Sequence, residues 1–405
     1  MAHIIFFTQL YYPDITTTAT IMTGLSEHLA SYGHKIEIVC SQPTYIVKRK
    51  CLKKEIRNKV SIRRIRSFLF DKNNNLGRIL NSTSCFFNML VHIFNIDENS
   101  LLVFNTNPAL LPLLGFIIKK IRKQRYLVLV HDLWPELPAN IGMIRNKGLL
   151  YKIIDFLMKE SFMYANGIIA ISNKMKERIL EKVPKKKDNI YVIHNWANEN
   201  KLYPIEKAKI RKIEDLGLNS KKIVMYSGNL GRYQPLEVMI GAANELKDRK
   251  DIMFLFVGNG GKKMKIESMA KSMDLNNIKF LPFQPLERLS ESLSMADVSL
   301  MGILPENEGV IMPSKLYSLL AVGKPIICVS DSNSEVADIL YQSGAGLQSS
   351  VRDPKELAGK ILAIFEDPKK AMEMGQSGRK YFLEHFERKI IAKQWNATLN
   401  QVITE

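Results

Sequence analysis

Cysteine is scarce, with four in 405 residues, at Cys40, Cys51, Cys85 and Cys328. None forms a CxxC pair and no histidine cluster accompanies them, which argues against a disulfide framework or a zinc site and fits a reducing compartment. No Asp-x-Asp pair occurs anywhere, which argues against a Mg²⁺-bridged diphosphate, and no metal is expected on that reading. The one uncharged run long enough to span a bilayer, Asn99 to Ile118, contains Asn105, Asn107, Pro108 and Pro112. It reads as a strand, a loop and a helix start rather than a span. The beginning, MAHIIFFTQLYYP, lacks a basic region and a small-residue cleavage site and reads as a first strand. No repeat or low-complexity segment appears. Acidic residues are also short: 40 Asp and Glu face 58 Lys and Arg, a net charge of +18. The imbalance sits in front, where residues 1–200 carry 29 basic and 15 acidic residues, against 29 and 25 in 201–405. The front half is therefore the part that meets something anionic, whether nucleic acid, phospholipid or phosphorylated substrate. Nucleic acid is set aside because no helix-turn-helix or aromatic-basic reading motif is present.

What the chain does have is alternation. Apolar strand-length runs recur as HIIFFT (3–8), KIEIVC (35–40), LLVFNT (101–106), YLVLVHD (126–132), GIIAIS (167–172) and NIYVIHN (189–195). They resume as KIVMYSG (222–228), DIMFLFVG (251–258), NIKFLPF (277–283), DVSLMG (297–302) and PIICVS (325–330). Helical periods lie between most of them. Such a pattern predicts parallel sheets covered on both faces, hence an α/β chain of two doubly wound, Rossmann-like domains. A length of 405 residues also suits two cores better than one. The expected bounds are 1–197 and 205–375, joined near Asn198–Pro204, with helices over 376–405 that cross back to the first domain.

Ligands in such sheets bind where strands end at their carboxyl side. Strand one is followed by Thr16, Thr17 and Thr18, of which one is either a helix cap or a ligand contact. YLVLVHD ends in His131 and Asp132, suited to binding a sugar hydroxyl or to acid–base work, or else to capping a turn. After KIVMYSG, Gly228 and Gly231 permit a tight turn before Arg232 and a helix start, an anion-friendly arrangement. Gly258, Gly260 and Gly261 open another turn, and Phe283 closes NIKFLPF. In EGVIMPSKLYSLLAVGKPII (308–327), Pro313 and Ser314 begin a helix carrying Lys315 in its first turn. Three such turns in one domain point to a diphosphate-containing ligand there.

These residues resemble the retaining GT-B glycosyltransferases of family 4 over essentially the whole chain. YYPD, GHKIEIV, SGNLGRYQPLE, FLFVGNG, ADVSLM and EGVIMPSKLYSLLAVGKPII carry the likeness, and HDLWPE, HNWAN and EGVIMPSK resemble the WbuB-like subgroup that builds bacterial surface polysaccharides. The resemblance implies two domains facing a cleft. A nucleotide-sugar donor, UDP by the family's habit, is held by the second domain and a polyprenyl-diphosphate-linked saccharide acceptor by the first. It implies that Arg232 neutralises the leaving diphosphate, that Glu308, Gly309 and Val310 form the loop facing the donor, and that His131 touches the transferred sugar. Asn229 and Gln234 stand where many members have an arginine and a lysine. The family's Glu, seven residues, Glu signature fails: neither frame around Glu308 or Lys324 yields two glutamates, and Ser318 occupies the ribose-binding place. A serine offers a neutral hydrogen bond of about 1 kcal/mol where a carboxylate offers about 1.5–3.

A lipid-linked acceptor would account for the basic front half. The stretches Ala109–Arg125, 145–162 and Arg78–Ile96 mix apolar residues with lysine and arginine. Either they lie on an anionic inner-leaflet surface, making the protein a peripheral cytoplasmic one, or their apolar residues are core with a solvated rim. A nucleotide-sugar 2-epimerase of the same fold and a non-catalytic partner of a glycosyltransferase are the alternatives.

Overall fold

The computed structural model describes residues 2–43, 51–68, 70 and 75–404, except the side chains of Asn75 and Arg78. The chain divides into two compact units. The first comprises Met1–Asn195, Gly309–Met312 and Arg388–Glu405, and the second Trp196–Glu308 and Pro313–Glu387.

The described residues of the first unit form an eight-stranded sheet from β1 (His3–Phe7), β2 (Lys35–Ser41), β3 (Lys54–Arg57), β4 (Val60–Ile65), β5 (Leu101–Asn105), β6 (Tyr126–Val130), β7 (Gly167–Ala170) and β8 (Ile190–Val192). Their order is β3-β4-β2-β1-β5-β6-β7-β8, parallel except for β3. The central strands β5, β6 and β7 are buried at every residue, as expected of near-continuous apolar runs covered on both faces. The hairpin β3–β4 escaped the sequence reading. KEIR and VSIRRI alternate cations with isoleucines, as an edge pair does, and Asn58 and Lys59 turn between them at φ 45° and 67°.

The second unit holds a wholly parallel six-stranded sheet from β9 (Lys222–Ser227), β10 (Ile252–Val257), β11 (Ile278–Leu281), β12 (Val298–Gly302), β13 (Ile326–Val329) and β14 (Gly346–Ser349). The order is β11-β10-β9-β12-β13-β14, so the winding reverses between β9 and β12.

The division corrects the expected bounds at the end of the chain. Helix Pro368–His385 runs straight through position 376 and belongs to the second unit. Two glycines hold it there: a Cβ at Gly375 would fall 2.2 Å from the Gly323 carbonyl oxygen, and one at Gly378 would fall 2.9 Å from the Ala345 Cβ. Only helix Arg388–Thr404 joins the first unit. Its buried stripe of Ile391, Trp395, Leu399 and Val402 faces the core, with Trp395 beside Phe6 at 6.2 Å between rings. The Asn396 side-chain oxygen pairs with His34 Nε2 at 2.7 Å, and Arg125 donates to the Ile403 carbonyl at 2.6 Å.

Candidate active site

In the second unit the site is built at the carboxyl ends of β9, β10 and β12, around the reversal of winding where open sheets take ligands. Gly228 follows β9 at φ 135° and Gly258 follows β10 at φ 143°. The two turns touch: a Cβ at Gly258 would lie 2.0 Å from the Gly228 carbonyl oxygen. Only glycine lets the backbones come this close. Tyr226 is fully buried, and its hydroxyl donates to the Asn229 carbonyl at 2.8 Å, fixing the turn above it.

Lys315 comes onto this floor from the turn after β12. Its Nζ lies 3.6 Å from the Tyr226 ring centroid, and a Cβ at Gly228 would stand 3.2 Å from it. The residue's stem is partly exposed while its Nζ is closed to solvent and has no hydrogen-bond acceptor among the described residues. Burial lowers its pKa to about 7, opposed weakly by the nearby Cys328. An ammonium so placed carries an unmet demand for a hydrogen-bonding anion. The helix it opens is Lys315–Ala321, preceded by Ser314, whose side chain makes no cap bond; Pro313 contributes its carbonyl to the Leu316 amide at 3.1 Å.

Asn229 and Arg232 are exposed at the rim of the Gly228 turn, while Gln234 is buried with its Oε1 unpartnered among the described residues. Phe283 is 58% exposed and faces Gly258 closely enough for a Cβ there to meet its ring at 3.4 Å. Ser318 is half-buried on the Lys315 helix. Glu308 Oε1 accepts from the Glu335 amide at 2.9 Å, at the start of helix Glu335–Ser343.

The first unit places its own residues at the end of β6. The amides of His131 and Asp132 both donate to Thr106 Oγ1, at 3.0 and 3.1 Å, which fixes the bend after the strand. His131 is buried with Nε2 unpartnered among the described residues, and burial lowers its pKa to about 4, so its ring is neutral at pH 7. Burial raises Asp132 to about 6. Gly309 and Val310 belong to this unit: Asp132 bridges Ile311, and the Val310 carbonyl accepts from the Leu133 amide at 2.9 Å. That carbonyl is therefore committed to backbone pairing. Thr16 caps helix Thr17–Ser31 through its side chain, and Thr17 is exposed in the first turn. Sequence reasoning missed Tyr226 and Thr106. Tyr226 lies two residues before Gly228 and Thr106 directly follows β5, and only a polar group at the end of an apolar run marks either.

Two family models tile the chain, Glycosyltransferase Family 4 over residues 18–201 and Glycosyl transferases group 1 over residues 208–381. The chain belongs to the family 4 glycosyltransferases. This glycosyltransferase is 27% identical over 261 residues to the probable glycosyltransferase WbjE of Pseudomonas aeruginosa, covering 64% of this chain and 65% of that protein, a little under two thirds of the relative's length. It is 25% identical to the putative colanic acid biosynthesis glycosyl transferase WcaI of Escherichia coli K12, covering 81% and 83%. It is 23% identical to the N,N'-diacetylbacillosaminyl-diphospho-undecaprenol alpha-1,3-N-acetylgalactosaminyltransferase of Campylobacter jejuni, covering 72% and 78%. In fold it is similar to Anabaena HepE, solved with UDP and glucose, at TM-score 0.74 and 16% identity over 99% of this chain and 100% of that one. The two parallel-sheet domains are those of GT-B glycosyltransferases.

Proposed function

We propose that this glycosyltransferase moves a sugar from a UDP-sugar to a saccharide carried on a polyprenyl diphosphate, with retention of anomeric configuration and without a metal, during assembly of a surface polysaccharide such as an O-antigen or capsule. The observation that carries the donor half is the Lys315 ammonium, solvent-closed and without an acceptor among the described residues, beside the touching Gly228 and Gly258 turns. A diphosphate gives it that acceptor. As the bond from anomeric carbon to phosphate oxygen breaks, charge gathers on the leaving diphosphate, and Lys315 with Arg232 stabilises it through fixed donors. The acceptor hydroxyl attacks on the face the diphosphate leaves, and the departing phosphate oxygen takes its proton. Neutral His131 offers Nε2 to a hydroxyl of the transferred sugar. Further support comes from the relatives named for colanic acid synthesis and for transfer to an undecaprenol diphosphate, and from the UDP held by HepE. The epimerase alternative gains nothing from these relatives, whose names all describe glycosyl transfer.

Incubating the enzyme with a panel of UDP-sugars and a polyprenyl-diphosphate saccharide tests this, with UDP release as the readout. His131→Ala should lower kcat/KM by roughly two- to tenfold, the worth of one neutral hydrogen bond. An enzyme that neither binds nor turns over any nucleotide sugar would favour the non-catalytic partner instead.

The acceptor half rests on exposed apolar stripes in the first unit. On helix Asn75–Ile93, Leu76, Leu80, Phe87 and Val91 recur at helical spacing and are exposed, with Val91 at 68%. On helix Leu149–Met163, Leu150, Ile153 and Phe156 are exposed beside Lys152. Apolar residues with lysines at their edge suit an anionic inner-leaflet surface, where the enzyme would be peripheral. No helix among the described residues is long and apolar enough to cross a membrane. Replacing Phe87 and Val91 together by glutamate should cut binding to anionic vesicles about tenfold, and raised salt should weaken the native enzyme's binding. Equal binding to neutral vesicles would remove the electrostatic part of this reading.

A further inference from the structure

The second unit also has a cavity of about 800 Å³ at the opposite edge of its sheet. Lys222 opens β9, Asp297 precedes β12 and Lys324-Pro325 precedes β13, and all line the cavity. At about 3.3 Å per residue, this edge lies roughly 20 Å from the Gly228 turn. The far wall is helix Pro368–His385, whose Met372 and Leu383 face the cavity together with Phe365.

The cations around it differ in what they already hold. Arg379 donates to the carbonyls of Leu202 and Ala321, at 2.8 and 2.7 Å. Lys207 Nζ is 2.5 Å from Asp297 Oδ2 and donates to the Lys221 carbonyl. Asp297 accepts from the Ile223 amide as well, so its charge is spoken for. Lys222 makes a long contact of 3.5 Å to the Phe365 carbonyl and lies 5.2 Å from the centroid of the Phe365 ring. Lys324 has no hydrogen bond or ion pair among the described residues, although it is half-buried. Burial lowers its pKa, with Asp297 opposing the shift and Lys207 adding to it. The cavity thus has apolar walls, the paired cations Arg379 and Lys207, and the lightly engaged Lys222 and Lys324, with Lys380 and Glu384 exposed on its lining.

We propose that this cavity is a second ligand site, for a small amphiphilic anion with a phosphate or carboxylate head on Lys324 and Lys222 and a short alkyl or prenyl chain against Phe365, Met372 and Leu383. A volume of this size suits one such molecule. Nothing in the transfer reaction uses the cavity, so the site is independent of the donor site.

The test is calorimetric titration of the full chain with decyl phosphate, decanoate, decanol and inorganic phosphate, each below its aggregation threshold. Decyl phosphate and decanoate should bind with one ligand per chain, and decanol and inorganic phosphate about tenfold more weakly or not at all. Saturating UDP should leave the decyl phosphate affinity unchanged. Lys324→Gln should weaken both anions about tenfold, and Met372→Glu, at an exposed position that leaves the interior intact, should do the same. Decanol binding as tightly as decyl phosphate would reduce the site to an apolar crevice, and displacement by UDP would put the ligand in the donor site; either overturns the proposal. Vesicles containing phosphatidic acid separate the sources. Vesicle binding lost in Lys324→Gln along with decyl phosphate binding assigns the ligand to a bilayer lipid. Loss of decyl phosphate binding alone assigns it to a free amphiphile.

Discussion

Lys315→Met should bind UDP about 10- to 150-fold more weakly than the native enzyme, the equivalent of about 1.5–3 kcal/mol for one charge-assisted hydrogen bond. Methionine keeps a stem of similar length over the Tyr226 ring and removes only the ammonium. The same variant should melt at a higher temperature without nucleotide, because a solvent-closed ammonium with no acceptor costs stability. Opposite signs for binding and stability are what a purely structural lysine would not give. The pH dependence follows from the amine's lowered pKa. Free in solution the side chain titrates near 10.5, and in the folded enzyme near 7. Between these values the unfolded chain binds more protons than the folded one, so the Lys315 contribution to stability rises with pH across that window. A bound diphosphate restores the charge, so UDP binding at pH 8 should take up close to one proton. At that pH the nucleotide's own phosphate is already ionised. Titration in buffers of different ionisation enthalpy reads this directly. A Lys315→Met enzyme that still takes up the proton would assign it to another group. Ser318→Ala should change affinity by about fivefold, the ~1 kcal/mol worth of one neutral hydrogen bond. The reverse order of effects would mean that the turn after β12 holds the donor by its serine.

Gly258→Ala should be the most damaging single change at the donor turns. The new Cβ would enter at 2.0 Å from the Gly228 carbonyl oxygen, where something must move, and φ 143° disfavours any side chain. A cost of about 3 kcal/mol is expected from backbone strain and displacement together. For a domain of this size that lowers the melting temperature by roughly 6–12 °C. UDP binding should fall below detection, since the Gly228 turn is displaced. Gly261→Ala is the matched control, because its Cβ would have no neighbour nearer than 3.9 Å, at Arg232 Nε. If Gly258→Ala melts with the native enzyme and binds UDP, the two turns are looser than their contact implies.

The sheets were legible because buried parallel strands need nearly unbroken apolar sequence, and LLVF, YLVLV and IMFLFV supply it. The hairpin β3–β4 was hidden because an edge strand is half solvent-facing and its cations resemble a loop. At the site, glycines and cations at strand ends could be read as ligand-facing from position alone. What could not be read was how each polar group is already spent. Glu308 looks like a donor carboxylate in the sequence and caps a helix in the fold. Lys315 looks like one more basic residue and is a solvent-closed ammonium with no hydrogen-bond acceptor among the described residues. Tyr226, inside an apolar run, gives no hint that a lysine lies across its ring. These are matters of long-range contact, which local patterning does not encode.

The helix Arg388–Thr404 completes the core of the first unit, yet it is synthesised after every residue of the second. A nascent chain that has just finished β8 holds the eight described strands of the first sheet but lacks Trp395 beside Phe6 and the contacts that Arg125 and His34 make to this helix. During translation the first unit must wait, partly open, while nearly two hundred further residues emerge. A fragment ending near residue 197 would be caught in that state. Expressed alone it should expose the surface that Trp395 covers and associate through it, whereas adding residues 388–404 as a separate peptide should cover that surface and reduce the association.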